Sequence, residues 1–218
     1  MEDEKSERGG SMKGTHPGIR YIIFDLGNVL IEIHPQRAMA AFSQRCGIPV
    51  AEFQKLFLSP LHLQFMKGEL TPREFFEQVL KRYPCQLSYT EFYEIWLLIL
   101  GRLKLGMAAL LKEFATTHHL ALCSNTDPIH WQAALTANPE MQFFRHRYLS
   151  FELKLLKPDP AIFEYILRDL QCSPAECVFI DDTRANIFAA EQIGFRTIHA
   201  ETSKEIHRMI RNIQQVSN

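Results

Sequence analysis

The stretch Tyr21-Ile22-Ile23-Phe24-Asp25-Leu26-Gly27-Asn28-Val29-Leu30 determines the predicted fold of this 218-residue chain. Its first four residues predict a short hydrophobic strand that stops at the carboxylate of Asp25, and Gly27 then favours a turn. Ligands of open α/β sheets bind at the edge formed by the carboxyl ends of the strands. Asp25 is therefore the first candidate functional residue.

Further strands are predicted at residues 119–123, about 147–149, 177–180 and 195–198, and helical patterns lie between the later ones. After Pro160, apolar residues recur at helical spacing, and the same spacing returns near the carboxyl terminus; these residues are Ile162, Phe163, Ile166, Leu167 and Leu170, then Ile206, Met209, Ile210 and Ile213. This alternation predicts an α/β fold with a Rossmann-like parallel sheet flanked by helices.

Residues 35–104 have a different pattern, with apolar residues at helical intervals and almost nothing that alternates as a strand. Thr71, Pro72 and Glu74 form a helix-start signal, with Thr71 as the N-cap of a capping box. We therefore expect a helical insertion at 35–104 between two parts of an α/β core, residues 19–34 and 105–218. Residues 1–18 lack apolar periodicity and are expected to be a disordered tail.

Composition limits the possible partners. The formal net charge of -1 and the scattered Lys and Arg residues give no field that would favour nucleic acid or an anionic membrane. No apolar stretch approaches the ~20 residues needed to span a bilayer, so a soluble, cytoplasmic protein is expected, as a monomer or homodimer. The five cysteines form no CxxC pair and are expected to be reduced thiols, and no zinc-binding spacing is present.

Two later segments offer groups that bind phosphate. Ser124 and Asn125 follow a predicted buried strand, where a hydroxyl, a side-chain amide and backbone N–H groups at a helix start can meet phosphate oxygens. Helix capping is the alternative role, because Ser and Asn are also favoured as N-caps. Lys157 precedes Pro158, which favours an extended loop backbone and offers a fixed cation.

The adjacent pair Asp181-Asp182 follows four apolar residues. Two such carboxylates repel each other unless a cation or hydrogen bonds offset their charge. Mg²⁺ is the expected occupant of an oxygen-rich site that shares a phosphate. Together with Asp25, these segments supply a nucleophile, phosphate donors, a cation and metal ligands, which is the set that phosphoryl transfer requires.

The segments resemble, in order, the four motifs of the haloacid dehalogenase superfamily of aspartyl phosphatases. The matching residues are Phe24-Asp25-Leu26-Gly27-Asn28-Val29, Ser124-Asn125, Lys157-Pro158, and Ile180-Asp181-Asp182 with Asn186. The chain is most similar to the branch with a helical cap between the first and second motifs, which residues 35–104 would form. The Asp-Leu-Gly-Asn-Val form resembles the bacterial α-D-glucose-1-phosphatase-like group, whose pattern also fits Met66–Thr71 and Ser150.

The resemblance implies a role for each site residue. Asp25 would attack phosphorus and become an aspartyl phosphate, and Lys157 would neutralise charge on Asp25 and on the phosphoryl group. Ser124 and Asn125 would hold the phosphoryl group. The metal ligands would be Asp25, the Gly27 carbonyl and Asp182, with Asp181 as a further carboxylate. The implied function is a Mg²⁺-dependent phosphatase acting on a small phosphorylated metabolite.

Gly27 departs from the superfamily pattern, because its phosphatases usually carry an acid/base aspartate at this position. General acid–base catalysis is typically worth about 10²- to 10⁴-fold. We therefore expect a substrate whose leaving oxygen needs little protonation, such as a sugar 1-phosphate. His34 is a candidate substitute acid, although a polar hinge residue is the favoured interpretation.

Two other functions fit the same motifs. Dehalogenases of this superfamily also lack the second aspartate, and Arg37 is the nearby candidate for binding a 2-haloacid. Asp181 and Asp182 argue against such an anionic substrate in the absence of a metal. The other alternative is a pseudo-phosphatase that binds a phosphorylated ligand without turning it over.

Overall fold

The computed structural model describes residues 18–200 and 202–216, and the side chains as far as residue 212. Apart from Gly18, the predicted tail lies outside the described residues. The strands are β1 (Tyr21–Phe24), β2 (Ile31–Ile33), β3 (Leu100–Leu103), β4 (His119–Ser124), β5 (His146–Leu149), β6 (Cys177–Asp181) and β7 (Arg196–His199). Among the described helices, none has the length and apolarity needed to cross a bilayer.

The helices are α1 (Pro35–Cys46), α2 (Val50–Phe57), α3 (Pro60–Met66), α4 (Pro72–Arg82), α5 (Tyr89–Leu97), α6 (Met107–Phe114), α7 (Pro128–Ala137), α8 (Ser150–Leu153), α9 (Pro160–Leu170), α10 (Arg184–Ile193) and α11 (Ser203–Val216). Two 3-10 helices cover Pro139–Phe143 and Pro174–Glu176.

The main sheet has five strands in the order β5-β4-β1-β6-β7, and every pair is parallel. β1 lies at the centre, where Phe24 aligns with Leu122 of β4 and with Ile180 of β6. Each of these strands was predicted from its apolar run to within a few residues. The predicted α/β fold with a parallel sheet is confirmed.

Both faces of β1 are buried, as is usual in parallel sheets. Ile22 and Phe24 join a core cluster with α6, α7 and α11, whereas Tyr21 and Ile23 join a second cluster with α9 and α10. This two-sided packing fixes the end of β1, and with it the position of Asp25.

Helices α1–α5, which we call the helical unit, contain their own core. Its largest fully buried side chains include Phe42, Phe53, Phe65, Phe75 and Trp96. The predicted capping box at the start of α4 is confirmed, since Thr71 Oγ1 accepts from Glu74 N at 3.2 Å and the Glu74 carboxylate accepts from Thr71 N at 2.8 Å.

An antiparallel ribbon of β2 and β3 connects the helical unit to the sheet, and it was not predicted from the sequence. Leu100–Leu103 was assigned to the helical insertion, but it pairs with Ile31–Ile33 and forms β3. Lys104 adds a contact beside the ribbon, because its ammonium group donates to the Asn28 carbonyl at 2.6 Å. The ribbon therefore ends next to the turn that follows Asp25.

The expectation of five reduced thiols is wrong for one pair. Cys46, the last residue of α1, and Cys85 are joined in a disulfide with Cα atoms 5.2 Å apart. The remaining cysteines, Cys123, Cys172 and Cys177, are free, and Cys123 and Cys177 are buried in the sheet. The helical unit thus carries a covalent link between its first helix and the segment before α5.

Candidate active site

The carboxyl edge of the sheet gathers the predicted site residues around one cavity of about 500 Å³. Asp25 follows β1, Ser124 ends β4, and Asp182 follows β6. Lys157 reaches the same cavity from the loop between α8 and α9. Residues more than 130 positions apart, such as Asp25 and Lys157, are therefore brought into direct contact.

Lys157 is the centre of the polar network. Its Nζ atom donates to Asp25 Oδ1 at 2.8 Å, to Asp181 Oδ2 at 2.6 Å and to the Cys123 carbonyl at 2.8 Å. Only 1% of its side chain is exposed. The three donors of the ammonium group are thus all used, and the cation is held against the predicted nucleophile.

Asp181 lies behind the cavity and is fully buried. Its oxygens also accept from Asn186 Nδ2 at 3.0 Å and from the Thr183 backbone N–H at 2.8 Å. This carboxylate is therefore satisfied by protein donors, and it orients Lys157 while placing one more negative charge beside Asp25.

The three carboxylates of Asp25, Asp181 and Asp182 each offer an oxygen within 4.8 Å of the others. Lys157 supplies one positive charge against them, so the ionised group keeps an excess of negative charge. No hydrogen bond among the described residues ends on the Gly27 carbonyl oxygen, which leaves it available as a ligand. An all-oxygen set with excess negative charge fits Mg²⁺.

The buried environment shifts the pKa values of Asp25 and Lys157. The pKa of Asp25 is raised to about 6, mainly because the carboxyl group is buried; Lys157 opposes this effect and the charge of Asp181 adds to it. Burial lowers the pKa of Lys157, but the two aspartates outweigh it and hold the pKa of the ammonium group above its usual value. Lys157 therefore stays charged.

Ser124 and Asn125 have different environments. No hydrogen bond within the described part of the chain involves Ser124 Oγ, so this hydroxyl is available to a ligand in the cavity. The Asn125 side chain instead pairs with the backbone of Lys157, donating to its carbonyl at 2.8 Å and accepting from its N–H at 2.9 Å. Asn125 thus positions Lys157, a role that the sequence did not indicate.

The start of α7 differs from the expected phosphate site. The Asp127 carboxylate accepts from the backbone N–H groups of Ile129 at 2.9 Å and His130 at 3.0 Å, so these amides are already used. His130 Nδ1 lies 2.6 Å from Asp127 Oδ2, and Trp96 Nε1 donates to the same oxygen at 3.1 Å. An ion pair therefore occupies the helix start and ties α5 of the helical unit to the core.

This cluster was not predicted from the sequence. Asp127 followed by Pro128 is a helix-start signal that could have located the N-cap. Nothing local connects it with Trp96, which is 31 residues away. Burial lowers the pKa of His130 and raises that of Asp127, yet their mutual attraction and hydrogen bonds dominate, so the pKa of His130 is raised and that of Asp127 is lowered. These shifts favour the ion-paired form, with His130 protonated and Asp127 ionised.

The structure does not bring the other two candidates into the cavity. His34 is the N-cap residue of α1, but its side chain makes no capping hydrogen bond. Its Nε2 atom lies 3.3 Å from the Glu32 carboxylate, outside the cavity lining. This position fits the hinge interpretation better than the substitute-acid hypothesis. Arg37 is exposed and also lies outside the lining. Arg37 is therefore not placed to bind a 2-haloacid in this cavity.

The chain belongs to the haloacid dehalogenase-like hydrolase family, which it matches over residues 19–194. It is therefore a hydrolase, as the sequence predicted. Among proteins similar to it is a D-ribitol-5-phosphate phosphatase of Bacteroides thetaiotaomicron, 27% identical over 195 residues that cover 86% of this chain and 94% of the relative.

Solved structures give the same assignment. A family enzyme of B. thetaiotaomicron in complex with magnesium and inorganic phosphate has a TM-score of 0.77 and 30% identity, over 83% of this chain and 93% of that one. A predicted family hydrolase of Porphyromonas gingivalis has a TM-score of 0.79 and 27% identity, over 89% of this chain and 99% of that one. The superfamily resemblance drawn from the four motifs is confirmed.

Proposed function

We propose that this hydrolase is a Mg²⁺-dependent phosphatase that acts on a small phosphorylated metabolite through an aspartyl-phosphate intermediate. The observation that carries the proposal is the contact of Lys157 with both Asp25 and Asp181 at the edge of a 500 Å³ cavity. The phosphatase activity named for the B. thetaiotaomicron relative and the magnesium and phosphate bound by its structural neighbour support it.

Each residue would contribute a separate step. A carboxylate oxygen of Asp25 would bond to phosphorus while the bond between phosphorus and the leaving oxygen breaks. Lys157 would stabilise the negative charge of the phosphoryl group, and Ser124 would donate a hydrogen bond to it. Water would then attack the phosphorus of the aspartyl phosphate, release inorganic phosphate and regenerate the Asp25 carboxylate.

Mg²⁺ would be held by Asp25, Asp182 and the Gly27 carbonyl, close to Asp181, which is already bonded within the protein. When bound, it would supply positive charge that offsets the charge of the carboxylates and the phosphate. Gly27 offers no carboxyl group, so the leaving oxygen would take its proton from water. A leaving group of low basicity is therefore favoured, and a sugar 1-phosphate meets this condition because its leaving oxygen is that of a hemiacetal.

The test is a phosphate-release screen over small phosphorylated metabolites, with Mg²⁺ present and after its removal with EDTA. We expect release that requires Mg²⁺ and a higher kcat/KM for sugar 1-phosphates than for the matching 6-phosphates. Equal rates for the two series would refute the leaving-group argument. Absence of release even from p-nitrophenyl phosphate would refute the phosphatase proposal.

A further inference from the structure

The part of the cavity that faces the helical unit is mainly apolar. Its apolar lining consists of Ile33, Pro35, Phe57, Met66, Ile99 and Leu100. Asp127 and His130 also line it, but their polar atoms are used by each other and by Trp96, whose carbonyl lies 2.9 Å from His130 Nε2. His62 is the remaining polar side chain of this region, and within the described part of the chain only one of its two ring nitrogens has a hydrogen-bond partner.

The His62 ring is oriented by a single hydrogen bond. Its Nδ1 atom lies 3.1 Å from the carbonyl of Phe57, the last residue of α2. A carbonyl oxygen only accepts, so Nδ1 must carry the proton. The ring also packs edge-on against Trp96, with centroids 5.7 Å apart. Burial and the charge of His130 lower the pKa of His62, and they outweigh the Phe57 bond and Asp127, which raise it. A neutral ring then has an unprotonated Nε2, which is a hydrogen-bond acceptor.

The Nε2 atom has no protein partner in the described part of the chain. No hydrogen bond among the described residues reaches it, and within the same part of the chain every buried polar side-chain atom has a partner. An acceptor without a protein partner must therefore be exposed, and His62 lines this cavity. The apolar wall thus contains one fixed acceptor.

We propose that His62 determines specificity, with Nε2 accepting a hydrogen bond from a hydroxyl of the leaving group while the apolar wall contacts its C–H face. This inference rests on the proposed phosphatase function. A pyranose 1-phosphate has both features, since its ring offers an apolar face and several hydroxyls. A substrate site built to bond a hydroxyl also discriminates against the analogue that lacks it.

Two substitutions distinguish the roles of the two ring nitrogens of His62. His62→Asn keeps a donor near Nδ1 for the Phe57 carbonyl and removes the acceptor, whereas His62→Gln places an acceptor near Nε2. The measurement is kcat/KM for glucose 1-phosphate and for its 2-, 3-, 4- and 6-deoxy analogues. For the wild type, we expect kcat/KM to be about tenfold higher for glucose 1-phosphate than for one of its deoxy analogues. This ratio should fall to about one in His62→Asn and be largely retained in His62→Gln.

The outcomes are distinct for the two proposals. His207→Asn is the matched control, because His207 pairs with Glu113 away from the cavity and should leave the ratio unchanged. A wild type that hydrolyses p-nitrophenyl phosphate but distinguishes none of the deoxy analogues, or does not turn over glucose 1-phosphate, would overturn the role of His62. So would a ratio that His62→Asn retains. Inactivity toward p-nitrophenyl phosphate would instead overturn the phosphatase function itself.

Discussion

Ile33 Cγ1 lies 3.1 Å from the position that a Cβ atom on Gly27 would occupy. The two residues are neighbours in the cavity lining, where the turn after β1 meets strand β2. An apolar side chain therefore borders the position where phosphatases of the superfamily usually carry the acid/base aspartate. A carboxylate at position 27 needs Ile33 to shift by a few tenths of an ångström.

Restoring the missing acid therefore requires two changes. Gly27→Asp alone should raise kcat/KM for glycerol 3-phosphate by less than tenfold, because Ile33 holds the new carboxylate off position. Gly27→Asp combined with Ile33→Ala should raise it by about 10²-fold, the lower end of general acid–base catalysis. The gain should be small for p-nitrophenyl phosphate, whose leaving group needs little protonation.

The control for this pair is Ile33→Ala alone, which removes the obstacle without adding an acid and should give no gain on glycerol 3-phosphate. A full gain from the single Gly27→Asp variant would contradict the steric argument. Equal gains on both substrates would show that the added carboxylate does not protonate the leaving oxygen.

Replacing the nucleophile should abolish turnover. Asp25→Asn keeps an oxygen that can accept from Lys157 Nζ, so the network at the sheet edge should survive, whereas phosphate release should fall by about 10³-fold or more. Addition of beryllofluoride and Mg²⁺ to the wild type should give an acyl-phosphate mimic, detected by fluorine NMR, and the variant should give none. Asp159→Asn is the matched control, because Asp159 is an exposed helix cap at which Asn serves equally well. Activity that survives Asp25→Asn would refute the assignment of Asp25 as the nucleophile.

The sheet and its edge were predictable because the information is local. Four apolar residues followed by a carboxylate define both the buried strand and the end of it, so Asp25 and Asp181 could be placed from sequence alone. The ribbon could not, because β3 contains Gly101 and Arg102 and pairs with residues about 70 positions earlier. Only the folded chain shows that pairing.

The roles within the site were less predictable than the residues that form it. Asn125 was expected to bind phosphate, yet its amide pairs with the backbone of Lys157, a contact over 32 positions. The Asp127 ion pair depends on a tryptophan from the helical unit. Such contacts depend on how two packed units meet, which hydrophobic periodicity does not specify.

Gly68 tests the docking of the helical unit on the core. It follows α3 with φ +64, and a Cβ atom there would overlap the Phe151 carbonyl oxygen. Gly68→Ala should therefore lower the free energy of unfolding by about 1–3 kcal/mol beyond the cost of a positive φ. It should also lower kcat/KM, because Met66 beside this turn lines the cavity.

Gly47→Ala is the control for Gly68→Ala. Gly47 has nearly the same φ, +67, but no atom lies within 4 Å of the position that its Cβ atom would occupy. Gly47→Ala should lower the free energy of unfolding only by the backbone strain of about 1–2 kcal/mol, and it should leave kcat/KM unchanged. Urea unfolding and kinetics of the two variants give the comparison, and equal losses would mean that the Phe151 contact contributes nothing.

The ion pair of His130 and Asp127 should make stability depend on pH. The folded state raises the pKa of His130, so the pair stabilises the fold fully below the ordinary pKa of about 6.5 and loses this effect as pH rises through the folded-state pKa. His62 is the other titratable group near the pair, and burial lowers its pKa. His130→Gln should cost about 2 kcal/mol at pH 6, less than a fully broken buried pair, because Asp127 keeps its N–H donors.

At pH 9 the cost of His130→Gln should be smaller, and urea unfolding at both pH values measures the change. The variant should also raise KM at pH 7, because it leaves the Asp127 charge uncompensated beside the cavity proposed to bind a phosphate anion. His207→Gln removes a surface pair with Glu113 and should change stability by less than about 0.5 kcal/mol at either pH. A cost that is independent of pH, with KM unchanged, would mean that His130 fills space and carries no charge.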